Sequence, residues 1–580
     1  KLKVDVRFVE DGKTVTNKDF LSLLDVKLNL KTEENKEAEE NGDTNGDSKD
    51  GAKKKKNGKS TKIDLEGLSD RIVALPIAER SYTSLNVAHD GALFFMELPQ
   101  PGISTEPRGN GPFRATLRRF DFKSKKAGTA MDRIQGYTLS DDGKTILVAT
   151  PRNLLMTASV AKNIQASPLD TSDVKALVNP REEWQQIFDE TWRLEHQYFY
   201  DGNMHGINWQ GVYDKYQPLV AHVGTRADLN ALLVDVISEL QVGHNRTGGG
   251  EVYQDKPVAI GLLGADLRME DGKYRIKRIY TGEKWNPFLT APLAAPGIGA
   301  VAGDYIHAVN GTPLGKTDNI YARLVGTVGK QVTLSVSKDG NAENAEDVVI
   351  EPIANETQLR HWAWVEGNRK KVDELSGGKA GYVYLPNTAG GGYTYFNRMY
   401  FAQSDKEGMV IDERRNGGGQ AANYITDVLS RQYLAGWKDR DGQTFDTPAG
   451  AMYGPKVMLI DQDAGSGGDF LPYSFKRMGL GQLVGKTTWG GLIGISANPR
   501  LIDGGFLTVP YFRFYTPDGE WRIENEGQAP DIDVELDPVA VNAGRDTQLE
   551  RGVTEVMKGL ETYKPVKRRT APKIPTEVGK

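Results

Sequence analysis

Pro455-Lys-Val-Met-Leu-Ile-Asp-Gln-Asp-Ala-Gly-Ser466-Gly-Gly-Asp-Phe-Leu-Pro-Tyr-Ser-Phe-Lys-Arg-Met-Gly479 is, in order, an apolar run, a cluster of small residues and an amphipathic run. The apolar run at 457–460 is short enough for a buried strand and the last run has helical spacing, so the stretch reads as strand, tight turn, helix. Ser466 falls at the turn. Such a turn presents a hydroxyl at the edge of a sheet and leaves the Gly467 N–H, at the helix entrance, free to bind an oxyanion. Two plainer readings share these residues: Ser466 as a helix cap, and the glycines as a phosphate cradle. No Gly-Lys-Ser/Thr follows, which counts against the phosphate.

Around this stretch, residues 378–540 alternate strands (380–385, 409–412, 456–460, 482–485, 507–511) with helices (about 391–402, 420–432, 470–478), the pattern of an α/β sheet domain. Gly417-Gly-Gly419 follows the strand at 409–412 and supplies bare amides at a strand's C-terminal edge. Gly418 or Gly419 with Gly467 would make a two-donor oxyanion hole; a tight turn that needs glycine is the plainer reading.

A serine nucleophile needs a base. The seven histidines are His89, His196, His205, His222, His244, His307 and His361, all before Ser466. An α/β-hydrolase places its histidine after the serine, so that class is excluded, and no His-Glu-x-x-His marks a zinc hydrolase. His196 and His205 sit among aromatics and read as structural. His244, in Gln-Val-Gly-His-Asn-Arg-Thr-Gly-Gly-Gly just past an amphipathic helix opened by Thr225, is the best-placed base.

The rest of the 580-residue chain has room for several domains. A net charge of −5 gives no basic footprint, so nucleic acid is not expected as a partner. No cysteine is present, which removes disulfides, thiolate metal sites and a cysteine nucleophile. No apolar run has the length of a membrane span, and no metal or cofactor is expected.

Residues 82–95 and 136–149 share a strand, Asp-Gly turn, strand pattern at a spacing of about 50 residues, as propeller blades do. Residues 32–62 are an acidic then a basic block with scarcely an apolar side chain, expected to be a disordered insertion. The chain begins without Met, so we expect further blades and any targeting signal upstream of Lys1. In 255–353, the run Gly303-Asp-Tyr-Ile-His-Ala-Val-Asn-Gly311 resembles that of a PDZ domain, a fold that binds extended peptides at a sheet edge.

Asp412-Glu-Arg-Arg-Asn-Gly-Gly-Gly-Gln, Gly465-Ser-Gly-Gly-Asp, Lys486-Thr-Thr-Trp-Gly-Gly-Leu-Ile-Gly-Ile and Glu524-Asn-Glu-Gly-Gln-Ala-Pro-Asp-Ile-Asp-Val, in this order, resemble the tricorn protease family, relatives of the C-terminal processing peptidases. The resemblance implies a multidomain serine peptidase: β-propeller blades over 1–175, a helical subdomain carrying His244 over 176–254, a PDZ domain over 255–353, an α/β serine peptidase domain over 354–565, and a flexible tail at 566–580. It implies Ser466 as nucleophile, His244 as general base and Glu524 as the carboxylate of the relay, with Glu526 as the alternative two residues on. Gly467 and Gly418 or Gly419 match the oxyanion amides.

The lysine base of the processing branch is absent, its position being Gly491, and Gly243 stands where tricorn has a serine before the histidine. The resemblance further implies peptide substrates, a homo-oligomer (a hexamer) and a cytoplasmic location, with the periplasm as the alternative. Asp439 is a candidate for selecting a basic side chain at the cleavage position. The rival readings are a peptide-binding scaffold whose site has decayed and a protease acting on protein C-termini.

Overall fold

The computed structural model describes residues 3–4, 73–98, 115–150, 154–161, 164–283, 286, 289–496, 498–566 and 570–573. The expected insertion at 32–62 and most of the expected tail lie outside the described residues. The chain forms two compact units, one running to Ala176 and one from Leu177.

The first unit holds two four-stranded antiparallel meanders, Tyr82–Val87 through Lys126–Ile134 and Gly136–Leu139 through Ser167–Pro168. Their first hairpins turn on the repeated Asp-Gly pair. Gly91 and Gly143 take left-handed φ of 77° and 66°, and Asp90 and Asp142 accept the N–H two residues on. Alternation then buries Ala115 and Leu117 from one strand and Ile146 and Val148 from another in a common core.

The second unit opens with three helices, Pro180–Tyr198, Trp209–Val220 and Arg226–Ser238. Thr225 starts the third as its spacing predicts, its hydroxyl oxygen accepting from the Asp228 N–H. An antiparallel sheet follows, ordered Ala265–Glu270, Lys273–Ile279, Tyr305–Val309, Val332–Ser337, Glu346–Ile350. Next comes a five-stranded parallel sheet of Ala380–Tyr384, Gly408–Asp412, Lys456–Ile460, Gly481–Gly485 and Ile532–Asp533 in sequence order. Its second and third strands are buried at every residue, as strands covered on both faces must be. Gly390–Phe401, Ala422–Leu429 and Gly467–Arg477 each connect one strand to its parallel neighbour, the helical crossover that parallel pairing requires. Two helices missed by the sequence reading, Thr357–Leu375 and Thr547–Thr562, pack on each other and on the sheet.

The multidomain fold is the one expected, with one strand misplaced. The segment 507–511 is not part of the parallel sheet. It splits into Phe506–Thr508 and Pro510–Phe512, because Pro510 has no N–H to continue a ladder. Phe506–Thr508 pairs antiparallel with Arg246–Gly248, immediately after His244. Ile493, Leu501, Leu507 and Val509 also enter the core of the three helices, so the helices and the parallel-sheet segment close around a common interior. Beside this junction Arg226 Nε donates to Asp503 Oδ2 at 2.5 Å, both side chains almost fully buried. Removing one member of a buried pair strands the other charge and costs roughly 3–5 kcal/mol. Arg226→Ala is therefore expected to lower the denaturation midpoint of the second unit by a corresponding amount; an unchanged melt would mean that the ribbon and core hold the junction without the pair.

Candidate active site

Ser466 lies between the strand Lys456–Ile460 and the helix Gly467–Arg477, at the C-terminal edge of the parallel sheet, where sites in such sheets form. Its φ of 59° and ψ of −116° depart from the β-region conformation of an ordinary helix cap. A non-glycine residue held there is strained, and strain of this kind needs surrounding bonds to maintain it. Asp469, fully buried, provides them. Its Oδ2 accepts from Ser466 N (2.8 Å) and Gly491 N (3.1 Å), and its Oδ1 from Thr488 Oγ1 (2.5 Å) and Gly490 N (2.8 Å). Burial pushes the Asp469 carboxyl upward against these four donors, each of which favours the ionised form.

The Gly417–Gly419 turn packs directly on Ser466. A Cβ on Gly418 would lie 2.6 Å from Ser466 Cβ and 3.0 Å from Gly467 N, and one on Gly467 would lie 2.7 Å from Gly419 N. Gly418 and Gly419 have φ of 79° and 134°, which glycine adopts without penalty. The Gly418 N–H is already donated to Asn416 Oδ1 at 2.9 Å. The N–H groups of Gly419 and Gly467 have no acceptor among the described residues. Of the two glycines left open by the sequence, Gly419 thus has the free donor. Thr388, also buried, faces this corner, its hydroxyl 2.1 Å from where a Gly467 Cβ would sit and without a hydrogen-bond partner among the described residues.

His244 is presented by the ribbon. Thr508 Oγ1 donates to the His244 carbonyl at 2.8 Å. Asn245, in the amide orientation that satisfies its neighbours, donates to Glu195 Oε1 (2.8 Å) and to the Thr508 carbonyl (3.0 Å). The imidazole is half-buried and meets the Trp489 ring edge-on, with centroids 5.3 Å apart at 72°. Its Nδ1 has no hydrogen-bond partner among the described residues. Burial lowers the His244 pKa below its usual 6.5, Glu524 pulls it back up, Arg246 lowers it and Asp469 raises it.

Glu524 is buried between two left-handed residues, Ile523 (φ 79°) and Asn525 (φ 63°). Its Oε1 accepts from Gly243 N at 3.0 Å and its Oε2 from Leu492 N (2.7 Å) and Ile493 N (2.8 Å). No hydrogen bond joins it to His244 among the described residues, so its influence on the ring is through space. Glu526, two residues on, is exposed and pairs with Arg522 at 3.0 Å. Asp439 turns the exposed hairpin between Ala435–Lys438 and Thr444–Thr447, its carboxylate accepting from Gln443 N, and no contact brings it to Ser466. His196 stacks on Trp192, His205 binds Tyr200 and the Leu240 carbonyl, and His307 binds Ser337.

Asp469, Trp489, Thr388 and Glu195 escaped the sequence reading. Asp469 had a signal, the Ser-x-x-Asp spacing of a reciprocal cap; the others carry none that is local. No group of three or more acidic or histidine side chains suited to a metal occurs among the described residues, and none of their helices is long and apolar enough to cross a membrane.

A serine on a strand-to-helix turn beside free amides, on a parallel sheet joined to a PDZ-like sheet, defines a class. The model of peptidase family S41 matches residues 379–534, that of the tricorn protease PDZ domain residues 261–355, and that of the tricorn protease C1 domain residues 180–238. Tricorn protease homolog 1 of Streptomyces coelicolor is 36% identical over 89% of this chain and 49% of its own length, and the tricorn protease of Thermoplasma volcanium is 30% identical over 86% and 48%. A crystal structure of the tricorn protease superposes with a TM-score of 0.76 at 26% identity, covering 87% of this chain and 49% of the other. The chain belongs to the tricorn protease family. It spans about half the length of these two curated relatives.

Glu195 gives the site a pH-dependent stability. Burial pushes its carboxyl up from 4.5 to about 8, Asn245 offsetting only part. Between those values the folded protein holds a proton that the unfolded chain has lost, so this group's stabilisation, full below pH 4.5, disappears as pH rises through about 8. Glu195→Gln, neutral throughout, is expected to flatten the melting temperature across pH 5 to 8 relative to the wild type; parallel profiles would remove this account.

Proposed function

We propose that the chain is a serine peptidase of tricorn type, hydrolysing peptide bonds through an acyl-enzyme on Ser466. One juxtaposition carries the reading: a strained, left-handed serine beside two unclaimed amides, with a half-buried imidazole on the adjoining loop. In this proposal Ser466 Oγ adds to the carbonyl carbon while His244 takes its proton, and the oxyanion accepts from Gly467 and Gly419. His244 returns the proton to the departing amine as the C–N bond breaks. Water, deprotonated by His244, then adds to the acyl-serine, and the Ser466 oxygen leaves with the returned proton. Glu524 stabilises the imidazolium without accepting its proton. Its bonds to Gly243, Leu492 and Ile493 also tie the histidine loop to the loop after Trp489.

The substrates of this proposal are short peptides, cleaved within a homo-oligomer that is hexameric by family resemblance and cytoplasmic on the same ground. Asp439 enters only where a second copy brings its hairpin to the site; cleavage of a peptide library by Asp439→Lys with unchanged preference would remove it.

Ser466→Ala and His244→Ala are each expected to lower kcat by on the order of 10⁶-fold, with folding intact. A fluorophosphonate that labels the wild type equally well after Ser466→Ala excludes the assignment, and failure to label the wild type favours a peptide-binding scaffold. Gly467→Ala, whose methyl would meet Thr388 Oγ1 at 2.1 Å and the Gly419 carbonyl at 2.2 Å, is expected to cost about 10²–10³-fold in kcat, the loss of an oxyanion donor. Because the base works unprotonated and burial lowers its pKa, the acid limb of kcat/KM is expected below pH 6.5.

A further inference from the structure

Gly243 occupies the position where the family resemblance leads one to expect a serine, and nothing in its backbone demands glycine, since its φ is not left-handed. The demand comes from a side chain far along the sequence. A Cβ on Gly243 would lie 2.9 Å from Trp489 Cζ2 and 3.0 Å from Cη2, closer than a packed carbon tolerates. Two more glycines with ordinary φ border the same indole: a Cβ on Gly465 would be 2.6 Å from Cε3, and one on Gly491 2.2 Å from Cζ3. Gly243 precedes His244 and Gly465 precedes Ser466, so the ring touches the residue before each proposed catalytic side chain.

The indole is also fixed from several directions. Its backbone N–H donates to the Ala464 carbonyl at 2.8 Å, its edge meets the His244 imidazole, and the Arg246 guanidinium lies over it at 5.4 Å. The side chain is nevertheless 40% exposed, unusual for a tryptophan fitted so closely. One face therefore spaces two loops while another remains open to water.

We propose that Trp489 is the positioning residue of this site: its indole wedges between the His244 loop and the Ser466 loop, sets their separation, and excludes any side chain at position 243. The inference deepens the peptidase reading and rests on it for its catalytic consequence, but the wedge itself is a claim about packing that can be read without turnover. By covering the imidazole the ring also takes part in the burial that favours the neutral base. The charged groups acting on that imidazole are Glu524, Asp469 and Arg246; Glu524 accepts from the Gly243 amide and Arg246 lies over the indole, so two of the three border the substituted positions.

The test is a cycle of Gly243→Ser, Trp489→Ala and the double variant, with Trp489→Phe as the conservative control. Gly243→Ser alone is expected to lower kcat and the fluorophosphonate labelling rate of Ser466 at least 10-fold, because the new side chain displaces the ring. Trp489→Ala is expected to lower kcat 10- to 100-fold with KM changed less than threefold, and to move the acid limb of kcat/KM to higher pH as water reaches His244. Trp489→Phe restores most of the rate. The double variant is expected to be more active than Gly243→Ser alone, since the truncated residue leaves space for the serine.

A second readout needs no activity. An imidazolium quenches a neighbouring indole, so the fluorescence difference between the wild type and Trp489→Phe should titrate with His244 and vanish in His244→Asn and in Gly243→Ser. Wild-type rates in Gly243→Ser, or a double variant no better than the product of the single effects, overturn the wedge. If the wild type neither hydrolyses peptides nor labels, yet the fluorescence titration behaves as stated, the peptidase reading fails and the wedge stands; if labelling is normal and the titration is absent, the reverse holds.

Discussion

Three residue pairs of antiparallel ladder, Arg246 to Thr508, Thr247 to Leu507 and Gly248 to Phe506, hold the two halves of the candidate site together. Without that ladder His244 would hang at the end of a helical segment with no reason to face a serine more than two hundred residues away in sequence. With it, the backbone on the C-terminal side of the histidine is ordered by main-chain bonds, and Thr508 ties down the carbonyl of His244 itself. A ladder this short is marginal alone. It persists because Leu507 and Val509 insert into the core of the three helices and because Arg226 and Asp503 are paired beside it.

The buried carboxylates near Ser466 are mostly structural fasteners. Asp469 and Glu524 spend their lone pairs on main-chain amides of the loop after Lys486: Gly490 and Gly491 on one side, Leu492 and Ile493 on the other. Four consecutive residues, 490–493, are thereby gripped by the two carboxylates. Glu413 is different: its fully buried carboxyl has no hydrogen-bond partner among the described residues, and burial together with the neighbouring Asp469, Asp461 and Asp412 pushes it well above the usual carboxylate range.

What the sequence made legible is what chemistry writes locally. The buried strand before Ser466, the small residues of its turn and the glycine triplet at 417–419 announce themselves because only those residue types suit those backbones. His244 emerged by elimination and from its glycine-rich surroundings. The choice between Glu524 and Glu526 could not be made from spacing, since it depends on two left-handed residues that aim one carboxylate inward and leave the other with Arg522. Glu195 reads in sequence as one more charge on an amphipathic helix; only the closure of the helices over it reveals a buried acid. The strand at 507–511 was recognised as extended but assigned to the wrong partner, because alternation fixes which residues point inward and says nothing about which edge they join.

The ladder has a topological consequence. The chain leaves it at Gly248, makes the whole PDZ sheet, and re-enters the parallel-sheet segment at the helix Thr357–Leu375, where Glu356 accepts from Gly264 N and Arg360 pairs with Asp266. The PDZ sheet is therefore an excursion of the chain that starts and ends within one compact unit, pinned at its return by those two contacts.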